Sequence, residues 1–60
     1  MKYRVDWWFC DGQHNKTYFP TYEAAYAYAE GIVLCTGVKS VFILEMTARY
    51  GVYDVIEKIK

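Results

Sequence analysis

The amino-acid sequence predicts an α+β protein, a four-stranded antiparallel sheet with one helix packed on one of its faces, in the order β-β-α-β-β. Three observations lead there. Residues 3–10 set large apolar side chains at the odd positions against a mixed set at the even ones and run into an Asp-Gly turn. An alanine-rich segment with a capping residue occupies the middle of the chain. An alternating segment and a further strand-like segment follow Gly37, separated by a turn near Gly51.

Residues 3–10, YRVDWWFC, put Tyr3, Val5, Trp7 and Phe9 on one side of a strand and Arg4, Asp6, Trp8 and Cys10 on the other. The first set is a core. The second carries a tryptophan among charges. Asp11-Gly12 is a turn dipeptide, and the polar run Gln13-His14-Asn15-Lys16 leads into Thr17-Tyr18-Phe19, which completes a hairpin.

Pro20 blocks further pairing, and Thr21 is a candidate N-cap whose hydroxyl can accept from a free amide of the next turn. Glu23 suits the positive end of the helix dipole. The helix is expected to start at Tyr22, to tolerate Gly31 at about 1 kcal/mol relative to alanine, and to stop at Thr36-Gly37. At 100° per residue, Ala25, Tyr28, Ala29 and Ile32 form one stripe, with Tyr22 and Cys35 beside it. Glu23 and Glu30 lie opposite, and Tyr26 falls at the edge near Glu30.

The third strand, Val38 to Met46, alternates Val38, Ser40, Phe42, Leu44 and Met46 against Lys39, Val41, Ile43 and Glu45. The uncharged set is expected on the core side. Thr47 to Gly51 turns the chain, and Val52 to Ile59 forms a fourth strand whose faces the alternation leaves undecided, ending in the charged Glu57, Lys58 and Lys60.

One face of such a sheet has no helix over it. Parity places Trp8, Val41 and Ile43 at its centre, with Arg4, Asp6, Lys39 and Glu45 around them. An apolar centre within a charged rim is the anatomy of a protein interface. Tyr18, Tyr26, Arg49 and Tyr50 would extend it, because Tyr, Trp and Arg are the side chains that anchor interfaces.

Length and composition limit the alternatives. A 60-residue domain buries only about 60% of the surface of its unfolded chain, so a second subunit is an expected source of stability, and a homodimer is anticipated. Seven basic residues balance seven acidic ones with no block of either sign, which excludes the basic stripe of a duplex-DNA binder. No apolar run approaches the ~20 residues of a membrane span, so membrane partners are not expected. Cys10 and Cys35 are read as separate, partly buried thiols of a reducing cytoplasm.

Chemistry-bearing groups are sparse. Cys10 and His14 have a Cys-x3-His spacing and Cys35 could join them, but a structural zinc needs four ligands, usually in two close pairs, and Asp11 would have to complete the set. Nothing supplies an oxyanion hole for a Cys10–His14 nucleophile pair, and the four glycines are isolated rather than gathered in a phosphate loop. No cofactor, metal or catalytic residue is expected. Two non-catalytic functions remain. One is protein binding; the other is binding of single-stranded RNA or a small nucleotide by aromatic side chains on the sheet, with Arg4, Lys39 and Arg49 supplying charge.

The stretch Tyr18-Phe19-Pro20-Thr21-Tyr22-Glu23-Ala24-Ala25, followed by Ala29 and by Val38 to Glu45, resembles the capped helix and following strand of very small α+β inhibitor-type proteins encoded by phages and mobile elements. The resemblance implies an inhibitor that occupies the surface of a host or defence protein, as anti-CRISPR and related anti-defence proteins do. It transfers no catalytic residue.

Overall fold

The computed structural model describes residues 1–60 and contains the expected elements: β1 (Tyr3–Phe9), β2 (His14–Phe19), α1 (Tyr22–Val33), β3 (Val38–Met46) and β4 (Tyr53–Lys58). The strands form one antiparallel sheet in the order β2-β1-β3-β4, so β1 and β3 are central and β2 and β4 are edges. α1 packs on one face, chiefly over β1 and β3.

The helix is local chemistry made visible. Thr21 is extended, and its hydroxyl accepts from the amide of Ala24 at 3.2 Å. Ala25 and Ala29 are fully buried, and their lack of bulk lets the backbone approach the sheet. The helix stops at Val33, earlier than its composition suggests, with Leu34 as its C-cap. Gly37 then adopts a φ of 85° in the turn leading to β3, a conformation glycine takes without strain.

Two side chains expected on the buried stripe sit differently. Tyr28 is 39% exposed and leans over the sheet edge against Trp7 and Phe19. Cys35 lies past the helix end and is exposed, as is Cys10 in the turn after β1, so neither thiol is partly buried.

The largest correction concerns β3. Val41 and Ile43, expected on the open face, are fully buried beneath the helix with Val5, Trp7, Ala25, Ala29 and Val38. The register shows why: Val5 pairs with Ile43 and Trp7 with Val41, so these share the helix-facing side. Lys39 and Glu45 had argued against that side. A bulge opposite Trp8 and Phe9 absorbs Lys39 and lets Val38 face the core as well. Glu45 sits at the strand's far end, on the helix-facing side, where its carboxylate accepts from the Tyr3 hydroxyl at 3.2 Å and pairs with Lys2 at 3.4 Å. It therefore does not belong to the open rim. Phe42 and Leu44 take the open face instead.

β2 also begins earlier than its polarity suggests. As an edge strand it pairs only with β1; His14 and Lys16 stand on the open side, Asn15 is exposed, and Thr17 is half-buried on the helix-facing side beside Val5. In β4 a second bulge falls between the pairs Ile43–Glu57 and Leu44–Val55, which leaves Ile56 without a partner. Tyr53 and Val55 consequently face the open side, and Glu57 faces the helix, where it accepts from the Tyr22 hydroxyl. No helix is long and apolar enough to cross a membrane.

Candidate functional site

The open face is read directly from cross-strand pairs. Arg4 stands between Tyr18 and Leu44, Asp6 between Lys16 and Phe42, and Trp8 between His14 and Ser40. Leu44 continues to Val55, Phe42 to Lys58 and Met46 to Tyr53. Side chains from all four strands meet there.

Its centre is an ion network on an aromatic base. Asp6 is 3% exposed, and a buried carboxylate requires partners. Arg4 supplies two: Nε donates to Oδ1 at 2.6 Å and Nη2 to Oδ2 at 3.1 Å. His14 supplies the third, with Nε2 3.1 Å from Oδ2. The period of the strand makes this possible, because Arg4 and Asp6 share a face and His14 arrives from the opposite strand.

Aromatic rings enclose that network. The His14 ring stacks on Trp8, with centroids 4.2 Å apart, and Phe42 meets Trp8 nearly edge-on at 5.7 Å. The Arg4 guanidinium lies over the Tyr53 ring at 5.1 Å, and Tyr18 packs against the same ring. Trp8 is half-buried. Each polar and aromatic group thereby fixes a neighbour, so the face is ordered before any ligand arrives.

Two shallow depressions flank the Trp8–Phe42 pair. One, of about 300 Å³, is lined by Arg4, Asp6, Trp8, Phe42, Leu44 and Val55. The other, of about 210 Å³, lies between Trp8, Phe42 and Lys39. Both sit at or below the lower limit of small-molecule sites, which run from about 300 to 1,000 Å³.

The remaining sequence-predicted residues divide. Tyr18 joins the open face and is 42% exposed. Lys39, in its bulge, borders the smaller depression. Tyr50, in the turn before β4, is almost fully exposed and stands with Tyr18, Met46 and Tyr53 at one end of the face. Arg49 is exposed in the same turn. Tyr26 does not belong: it lies in a groove of about 520 Å³ between α1 and the end of β4, with Glu30, Val33 and Glu57. Asp6 is central rather than part of a rim. His14, Phe42, Leu44, Tyr53 and Val55 were missed, although the Asp11-Gly12 turn could have placed His14 opposite Trp8.

Titration shifts fall on the other side of the sheet. Tyr22 is pushed up to about 12, first by its hydrogen bond to Glu57, then by burial and by the Glu57 charge. Tyr26 is raised chiefly by the charge of Glu30, and Tyr3 by burial and by its bond to Glu45. Each is a phenol kept protonated beside a carboxylate. No group of three or more His, Cys, Asp and Glu side chains is placed to hold a metal ion. The imidazole of His14 engages Asp6 and Trp8, and the exposed Cys10 lies beyond the strand end.

Fold and site together define a helix-backed antiparallel sheet that presents an ordered aromatic and charged face. No protein-family model matches the chain, and neither a curated protein nor a solved structure matches it.

Proposed function

We propose that this protein is a non-catalytic protein-binding module that docks its open sheet face on another protein and inhibits it by covering a functional surface. The observation that carries this reading is the preassembled cluster of Arg4, Asp6, Trp8, His14 and Phe42. Trp and Arg dominate the energetics of protein interfaces when they are central and well packed. Holding them in place beforehand avoids the roughly 0.5–1.5 kcal/mol that ordering each such side chain costs on binding. The likeness to small phage and mobile-element inhibitors supports the occlusive mode, in a cytoplasmic setting.

A second reading, a platform for single-stranded RNA or a nucleotide, draws support from the aromatic side chains Trp8, Phe42, Tyr18 and Tyr53 on one face. Two features favour protein over bases. Base stacking needs a free ring face, and His14 already covers one face of the Trp8 indole. Arg4 is held by both carboxylate oxygens of Asp6 and so is not free for phosphate.

Trp8→Asp tests the reading. The expected result is loss of partner capture from a lysate, at least tenfold, with an unchanged circular dichroism spectrum and retained capture by Tyr26→Asp on the opposite side. Equal capture by Trp8→Asp and the parent protein would refute it.

A further inference from the structure

A formal charge of zero conceals two oppositely charged faces. Arg4, Lys16 and Lys58 stand on the open face by register, and Lys39 borders its smaller depression. The one acid among them, Asp6, is buried and paired with Arg4. Glu45, Asp54 and Glu57 instead occupy the helix-facing side of the sheet, and Glu23 and Glu30 are exposed on the helix itself. Lys2 offsets only Glu45 there. Alternation along the chain sends the two signs to opposite sides, which is why no block of charge is visible in the sequence.

We infer that the partner surface covered by this protein is acidic, with carboxylates grouped around an apolar centre. The inference rests on the protein-binding reading and adds the partner's chemistry to it. Lys16, Lys39 and Lys58 are exposed: Lys39 borders the depression beside Trp8 and Phe42, Lys16 stands opposite Asp6, and Lys58 stands opposite Phe42 while also bordering the groove that holds Glu30 and Glu57, whereas Arg4 is spent on Asp6. Three free ammonium groups around an apolar patch attract carboxylates at long range and fix the docking register. The same arrangement opposes a homodimer formed face to face, since that would set lysines against lysines. The acidic helix side in turn repels an acidic partner, so only one orientation of approach is favourable.

The test uses a peptide alternating glutamate and leucine, its lysine–leucine counterpart, and a single-stranded oligothymidylate, each titrated into isotopically labelled protein. The glutamate–leucine peptide is expected to shift the amide resonances of Arg4–Trp8 and Ser40–Leu44 and to bind at least tenfold more tightly than the lysine–leucine peptide. Lys16→Glu/Lys39→Glu/Lys58→Glu, which alters exposed positions only, should abolish that preference without changing the spectrum of the core. Equal binding of the two peptides, shifts confined to the helix, or tighter binding of the oligothymidylate would overturn the inference. The protein-binding reading fails separately, if Trp8→Asp leaves capture of the protein partner unaffected; a partner lost by Trp8→Asp but retained by the triple lysine variant leaves that reading standing and removes the acidic partner.

Discussion

The imidazole of His14 stacks on the indole of Trp8 with an interplanar angle of 12°, while its Nε2 reaches the carboxylate of Asp6. One side chain of an edge strand thus braces both the aromatic and the charged half of the open face. His14→Ala is expected to cost about 0.5–1.5 kcal/mol, the worth of an aromatic pair beyond its buried area. It also exposes a face of the indole, so the tryptophan emission should move to longer wavelength. Denaturant unfolding together with fluorescence checks both outcomes.

Adjacent residues of β3 separate stability from recognition. Ile43 is fully buried beneath the helix, and Phe42 stands on the other face against Trp8. Ile43→Ala should cost about 2–5 kcal/mol. For a chain of this length, whose stability is expected at roughly 3–9 kcal/mol, that removes much or all of the folded state. Phe42→Ala should remain folded and lose partner binding. Thermal unfolding of the two variants beside a binding assay distinguishes them, and the reverse order would mean that β3 is turned over.

Asp6 depends on Arg4. Arg4→Met leaves a buried carboxylate with His14 as its remaining side-chain partner, and is expected to destabilise the fold by about 2–3 kcal/mol. Arg4→Met/Asp6→Leu removes both charges together and should be close to neutral for stability. A double-mutant cycle by chemical denaturation measures the coupling. If the two single substitutions simply add, the pair contributes nothing specific.

Alkaline pH should loosen the contact between α1 and β4. The Tyr22 phenol titrates near 12 in the fold, above the ordinary value of 10, because it donates to Glu57. A group whose affinity for its proton rises on folding favours the folded state in full below the unfolded value. That contribution falls away as the pH climbs from about 10 through 12. Tyr22→Phe should flatten this part of the stability profile. Tyrosinate absorbance in the parent protein should show Tyr22 among the phenols that titrate late with Tyr3 and Tyr26, identified by the loss of one late step in the variant.

Local chemistry alone determined the order and nature of the elements. The alternation of residues 3–10, the Thr21 cap, the small residues Ala25 and Ala29, and the turns at Gly12 and Gly51 all act over a few residues, and the strands and helix follow from them. Trp8 on the open face was legible for the same reason, because β1 alternates without interruption.

Only the tertiary structure decided which half of β3 is core, how β4 is turned, and where the charges collect. A bulge inserts one residue and inverts every later side-chain assignment, and whether one forms depends on the neighbouring strand. The bulge at Lys39 brings Val38 to the core alongside Val41 and Ile43, while Phe42 faces Trp8. The sheet then gathers lysines from β2, β3 and β4 on one face, a patch that no stretch of the linear chain contains.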